Sequence, residues 1–378
     1  PHGNEAPEVN LSAELCGNCH TDSHHPTIDE WNEYESEDFD SETEASHSEP
    51  TESYAKSEGC VACKSTDGAI KNLEKSGVFN LNEEELPSPD VVKEWRITCV
   101  ACHEPHAAEL RVEDESKLCG NCHNSEMEKL EPDGETTTVH HSQWGMYKDS
   151  DWTTGRGHPQ LGCPNCHMAT RSIDEEAGIP ANTGHTFDVN AELLGSEYLT
   201  GEVKCENCHQ DLATTIEEKQ AIVEEKISSI ESLKEEATSA IKAENNSELV
   251  STYNNGLFYL SFVEHDASTG IHNFSKTIST LQKSYSMLHQ AKNGAEKLTL
   301  QSELSDKEDK VSNLQSELSD KEDKVSNLQS EVSSLQSDVS NLKSKLKDKY
   351  GLPSVIGALV IGLIVGAVAV WLSKRESE

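Results

Sequence analysis

The chain has few aromatic residues. Phenylalanine, tryptophan and tyrosine make up 5% of its 378 residues, and all hydrophobic types together reach 34%. That is thin for an ordinary self-packed core of this length, so something besides side chains must supply apolar bulk. Cations are also scarce: 31 lysines and arginines against 69 acids leave a formal net charge of −38. This argues against nucleic acid or an acidic membrane surface as a partner. It suits solubility outside the cell, a cationic redox partner or a high-salt habitat. No methionine or apolar leader opens the chain at Pro1, which sets the expectation of a signal peptide already removed.

Cysteine is absent outside one pattern. All twelve cysteines fall into six CxxC pairs: Cys16/Cys19, Cys60/Cys63, Cys99/Cys102, Cys119/Cys122, Cys163/Cys166 and Cys205/Cys208. In five of them a histidine follows directly: His20, His103, His123, His167 and His209. CxxCH is the attachment sequence of c-type haem, in which two thiols bond the haem's vinyl groups and the next side chain is held under the iron. Zinc knuckles and redox dithiols also use CxxC, but neither needs a histidine immediately afterwards. Six covalent haems are therefore expected, and they would supply the missing apolar bulk.

The remaining pair reads Cys60-Val61-Ala62-Cys63-Lys64, with lysine in the histidine's place. An amine ligates iron only after losing its proton, so the metal and burial must pull its pKa down. One reading is a haem with an open distal face where a small substrate meets iron, since perturbed ligands cluster at reactive sites. The other is a lysine/histidine haem that only carries electrons. Seventeen histidines leave twelve after the five proximal ones, enough for every CxxCH haem to be bis-histidine.

Taken in order, residues from about Asp29 to Glu58 are acidic and serine-rich, a solvated segment. The haem motifs follow among glycines and prolines, which predicts short helices and loops with few strands. From Asp211 the pattern changes to apolar residues at helical spacing in a Glu/Lys background. Helices are expected over about 211–237, 247–262 and 273–298, with Gly270-Ile271-His272-Asn273 at the last break. Residues 300–346 read as a coiled coil, in which LQSELSDKEDKVSN occurs twice in succession. Leu304, Val311, Leu318, Val325, Val332, Val339 and Leu346 take the a positions. Leu300, Leu314, Leu328, Leu335 and Leu342 take d, interrupted by Lys307 and Lys321. Valine at a with leucine at d favours a parallel dimer; a single charged helix serving as a spacer is the alternative. Val355 to Leu372 is an uninterrupted apolar run followed by Ser373-Lys374-Arg375, which reads as a membrane-spanning helix with its basic end in the cytoplasm.

From about Cys60 to Leu298 the motif order resembles the ammonia-forming cytochrome c nitrite reductases, in the superfamily that also holds octahaem tetrathionate reductases and hydroxylamine oxidoreductases. Those nitrite reductases carry one CxxCK haem, then four CxxCH haems, then long helices. CVACKSTDG, CVACH, CGNCH, CPNCHM and CENCH follow that order here. Gly155-Arg156-Gly157-His158, Gly184-His185-Thr186-Phe187 and Gly270–Asn273 look like the family's later histidine-bearing segments. The resemblance implies distal ligands: His185 for the iron of His103, His272 for that of His167, His158 for that of His209, and His24 or His25 for that of His123. The N-terminal haem of His20 is extra to the pattern, with His47 or His106 as its distal candidates. A tyrosine the family has after the third CxxCH is Glu126 here, and no arginine precedes Cys60. Lys56 with His140 or His141 would have to serve a bound oxyanion beside Lys64. Calcium is implied by the resemblance alone, as is dimerisation through the long helices.

The expected architecture is mainly α. A hexahaem head (1–210) is followed by a helical region packing on it (211–298), a coiled-coil stalk (299–350), one transmembrane helix (351–373) and a short cytoplasmic tail (374–378). The expected activity is extracytoplasmic electron transfer through bis-histidine haems, ending at the Lys64 haem as a reductase of a small nitrogen or sulfur oxyanion. The alternative is a conduit with no substrate site. The expected partners are a redox protein or quinol-linked donor, the membrane and a second copy of the chain.

Overall fold

The computed structural model describes residues 10–21, 24–32, 47–48, 50, 58–74, 86–107, 109–124, 131–148, 161–189, 191–194, 199, 205, 209–242, 246–350 and 362–366. Lys56, His158 and Cys208 lie outside them. The chain divides into two compact units, Pro1–Lys297 and Leu298–Glu378.

In the first unit the motif half is a series of short helices: α1 (Ala13–Gly17), α2 (Thr27–Asn32), α3 (Glu58–Lys64), α4 (Thr66–Glu74), α5 (Cys99–Cys102), α6 (Glu115–Gly120), α7 (Gln143–Lys148), α8 (Cys163–His167) and α9 (Ala191–Leu194). The described strands are two residues each, β1 (His103–Glu104) and β2 (Glu109–Leu110), paired antiparallel with His103 opposite Leu110. Arg111 closes this hairpin by donating to the Val100 carbonyl at 2.7 Å and to Glu104 at 3.0 Å. The helices are short because the sequence stops them. Gly162 and Pro164 open α8, and the Asp114 carboxylate caps α6 by accepting from the Lys117 N–H.

The apolar clusters of this half are small and contain the cysteines themselves. Ala13, Ile28 and Trp31 pack with Ile97, Cys99 and Phe187; Val61 and Trp95 pack with Cys60 and Val92. The larger core lies among three long helices, α10 (Leu212–Lys242), α11 (Ser247–Glu264) and α12 (Phe274–Tyr350). Val223, Ile230 and Leu233 of α10 meet Phe258, Leu260 and Phe262 of α11 and Leu281 and Leu288 of α12, with Val139 and Met146 from the motif half packed in. Asn246 caps α11 through the Glu248 and Leu249 N–H groups, and Asn273 caps α12 through that of Lys276. The third helix was expected to end near Leu298. It continues unbroken to Tyr350, since neither glycine nor proline occurs between Ala295 and Tyr350 to end it.

In the second unit the a and d side chains Leu304, Val311, Leu318, Leu335 and Leu342 are all more than half exposed. Of the apolar run Val355–Leu372 only residues 362–366 are described, as exposed helix. Among the described residues no helix is long and apolar enough to cross a membrane.

Candidate cofactor site

Each described CxxC sits on a single helical turn, which places its two cysteines on one face. The following histidine continues that turn. The N–H groups of His20, His123 and His209 donate to the carbonyls of Cys16, Cys119 and Cys205 at 3.2, 3.0 and 2.9 Å. Two thiols and an imidazole therefore converge on one side, the local geometry that thioether attachment and axial ligation both require. None of the eleven described cysteines is in a disulfide. The motifs also adjoin one another. The thiols of Cys63 and Cys122, of Cys119 and Cys163, and of Cys16 and Cys99 lie close enough to act on each other electrostatically, as Cys205 does on Cys166. Cys63 and Cys122 donate to the Asn121 and Ala62 carbonyls of each other's motifs at 4.0 and 3.8 Å.

Cys19 departs from the other attachment cysteines. It is exposed, whereas the other ten described cysteines are all partly buried. The cause is the position of the first motif. Helix α1 buries Ala13 and Gly17, the latter against Ile28, and turns Cys16 towards Cys99. Cys19 comes after the end of that helix, beside His20 and His25, which are exposed as well.

Distant histidines face the proximal ones. His103 and His185 lie 6.4 Å apart between ring centres, nearly parallel, and His167 and His272 lie 5.9 Å apart. His25 lies 6.4 Å from His20, and His47 lies 5.8 Å from His123. The expectation had His24 or His25 beside His123 and His47 or His106 beside His20; the structure places them the other way. A short loop keeps His25 next to its own motif, and the Ile28 N–H donates to the His20 carbonyl at 3.0 Å to close it. His47 is held between Trp31, stacked at 5.9 Å, and Phe187 at 5.0 Å. His106 lies on the exposed hairpin turn, with Glu104 at 3.3 Å.

These spacings suit an iron between two imidazoles. A metal–nitrogen bond of about 2 Å on each side, plus about 1 Å from each nitrogen to its ring centre, gives roughly 6 Å. The His47 and His123 rings also have the protonation state that ligation requires. Burial, followed by the charge of Lys64, holds His47 down to about 4; burial and the neighbouring His47 and His141 hold His123 down to about 3. Both are neutral at neutral pH.

Lys64 ends α3 close enough to His47, His123 and His141 to press electrostatically on all three. His141 is partly buried and adopts a left-handed backbone, φ 50°, a conformation that costs a non-glycine residue energy and clusters at functional sites. The loop before it is pinned by Val139 N–H donating to Ser261 Oγ at 2.9 Å, and the loop after it by Ser142 Oγ donating to the Phe262 carbonyl at 2.5 Å. Its ring lies 4.0 Å from the exposed His140 and 5.8 Å from His123. Burial, then the charges of His140, Lys64 and His265, hold His141 down to about 4.

Two buried acids behind the histidines were not among the expected site residues. Asp266, its side chain fully buried, accepts from His272 Nδ1 at 2.7 Å and from Ser268 Oγ. Burial pushes His272 down, but the hydrogen bond and charge of Asp266 outweigh it and hold His272 above its ordinary value. Glu30 of α2, 6% exposed, accepts from the Thr183 N–H and hydroxyl at 2.8 and 2.6 Å and from the His185 N–H at 2.9 Å. An acid and a hydroxyl just before Gly270-Ile271-His272 were a signal the sequence offered. Glu30, 155 residues from His185, gave none. Among the described residues no group of three or more His, Cys, Asp or Glu is arranged to hold a metal ion by itself.

The doubled CXXCH motif family matches residues 91–128, which hold the Cys99–His103 and Cys119–His123 sites. Among solved structures, the chain is similar to the outer cell wall cytochrome OcwA (20% identity, TM-score 0.42, covering 61% of this chain and 44% of that one). It is similar to an undecaheme cytochrome from the S-layer of Carboxydothermus ferrireducens (20% identity, TM-score 0.45, 74% and 46%). It is also similar to the catalytic subunit of cytochrome c nitrite reductase from Desulfovibrio desulfuricans (14% identity, TM-score 0.42, 63% and 65%). The chain spans less than half the length of the first two. No curated protein matches it in sequence. With these three TM-scores below 0.5, the cofactor assignment rests on the motifs and the ring spacing.

Proposed function

We propose that this multihaem c-type cytochrome transfers electrons outside the cytoplasm through five bis-histidine haems and a sixth, lysine-ligated one. The ligand pairs are His20 with His25, His103 with His185, His123 with His47, His167 with His272, and His209 with His158. Lys64 serves the haem of Cys60 and Cys63. Bound haem supplies a reversible one-electron iron couple; the chain holds the sites, pairs the ligands and brings neighbouring motifs into contact. The observation that carries this reading is the recurrence of paired imidazoles at 5.8–6.4 Å, each pair with one member in a CxxCH motif.

A second reading, favoured by His141, makes the Lys64 site the place where a small nitrogen or sulfur oxyanion is reduced. A partly buried imidazole on a strained backbone, within the electrostatic reach of Lys64 and neutral at neutral pH, is suited to donate a hydrogen bond from its N–H to an oxyanion bound there. The rest of the chain supports a membrane-attached arrangement: the run Val355–Leu372 with its basic flank serves as an anchor, and the exposed a/d stripe serves a parallel pairing with a second copy.

Electron paramagnetic resonance of the fully oxidised protein, with and without nitrite, tests both readings. Five or six low-spin haems per chain support the conduit. A single high-spin haem whose signal changes with nitrite supports the reductase, and six low-spin haems indifferent to nitrite end it. A haem content well below six, by mass and by pyridine haemochrome, overturns both.

A further inference from the structure

Resting on the bis-histidine reading, we propose that Asp266 and Glu30 are positioning residues that set unequal reduction potentials at the two sites they back, with the His167/His272 site made the lower of the two. The histidines differ in what their outer nitrogens meet. His167 Nδ1 donates to a neutral carbonyl, that of Phe187, at 2.9 Å. His272 Nδ1 donates straight into the buried carboxylate of Asp266 at 2.7 Å. His185 Nδ1 is shared between Thr183 Oγ1 at 3.0 Å and the neutral Thr183 carbonyl at 3.2 Å, and that hydroxyl in turn donates to Glu30 at 2.6 Å.

A carboxylate on the outer nitrogen of a ligating histidine fixes its tautomer and makes it a stronger donor through the other nitrogen. Stronger donation and nearby negative charge favour ferric over ferrous iron, so the one-electron couple moves to lower potential while the proton stays on Nδ1. The effect is direct at His272. At His185 it is diluted twice: a hydroxyl stands between acid and ring, and Glu30 spends its charge on three donors, two of them backbone N–H groups. Low dielectric strengthens both effects, since Asp266 is 1% and Glu30 6% exposed.

Spectropotentiometric titration of the full chain, with dithionite as reductant and ferricyanide as oxidant, tests this with three variants. Asp266→Asn keeps the shape and removes the charge. It is expected to raise one of the midpoints by about 59 mV, a tenfold change in a one-electron equilibrium, and to alter the g-values of one low-spin signal. Glu30→Gln is expected to raise a different midpoint by less. Ser268→Ala removes the hydroxyl that shares the Asp266 charge and that also accepts from the His272 N–H at 3.1 Å; with more of the Asp266 charge left for His272 Nδ1, the midpoint of that site is expected to fall. Opposite signs from Asp266→Asn and Ser268→Ala are not what loosened packing would give. Unchanged midpoints in Asp266→Asn with all haems retained overturn the inference while leaving the haem reading intact. If that variant loses a haem, the absence of a downward shift in Ser268→Ala overturns it instead. Wild-type protein lacking low-spin haems refutes the underlying reading.

Discussion

Replacing His47 with alanine is the sharpest perturbation of the proposed ligand set, because two imidazoles compete for one iron. The rings of His47 and His141 both lie 5.8 Å from that of His123, at interplanar angles of 70° and 73°. One distal position admits one of them. His47 is held on one side by Trp31, stacked at 23°, and on another by Phe187, so its ring is fixed by packing. His141 sits on a left-handed residue beside His140 and within reach of the Lys64 charge. With six motifs in the chain, His47→Ala should convert one sixth of the haem iron from low-spin to high-spin, while His141→Ala leaves the low-spin fraction unchanged. Spin integration of the oxidised spectra measures both, against haem content fixed by mass. Added imidazole should fill the space left by His47 and restore the low-spin signal. Retention of every low-spin haem in His47→Ala, together with a new high-spin haem in His141→Ala, would reverse the assignment.

Gly184→Ala should destabilise the first unit and disturb the low-spin signal that depends on His185. Gly184 holds φ 79°, and a Cβ there would stand 2.6 Å from Met168 backbone atoms, so about 1–2 kcal/mol of handedness strain adds to a clash that thermal unfolding should register. Glu14 is held down to about 2, chiefly by Ser12 and its own backbone N–H, then by Arg96 at 2.9 Å. As a depressed carboxylate it contributes stability above its ordinary value of 4.5 that is lost as pH falls towards 2. The pair is largely exposed on the Glu14 side, so the loss is at most about 1 kcal/mol, and melts of Glu14→Gln against the parent should differ in slope only over that window. Lys307→Leu with Lys321→Leu should raise the unfolding temperature of a parallel pair by filling two d layers; sedimentation of the detergent-solubilised chain as a monomer before and after the change would refute the pairing.

The attachment sites were legible because their chemistry is local: two thiols and a ligand within five residues, held by one helical turn, need no knowledge of the fold. The long helices were legible for a related reason, since apolar spacing in a charged background declares a buried face. Their ends were less so. Helix α12 passes Leu298 without a break because the change there is from core-facing to coiled-coil pattern, and both patterns are helical. The placement of His185 beside His103 and of His272 beside His167 was suggested only by motif order, because periodicity carries no information on which loop crosses which. The buried acids lay further out of reach. Glu30 looks like one more charge in an acidic stretch until Thr183 and His185 fold over it.

The exchange of His25 and His47 has a simple entropic basis that the sequence did contain. Closing a loop costs about (3/2)RT ln n, so pairing His20 with a histidine five residues on, rather than one twenty-seven residues on, saves roughly 1.5 kcal/mol. For His123 the alternatives are far in either case, 76 residues to His47 against 99 to His24, and the difference is only a few tenths of a kcal/mol. The swap therefore gains loop entropy at one site and loses nothing at the other. It also leaves His47 to be buried between Trp31 and Phe187, where its apolar faces are covered. Under the proposed pairing the N-terminal site is a self-contained module, joined to the next by Cys16 against Cys99 and by Arg96 against Glu14. A module of that kind can be added to a chain without rewiring the ligands of the sites that follow.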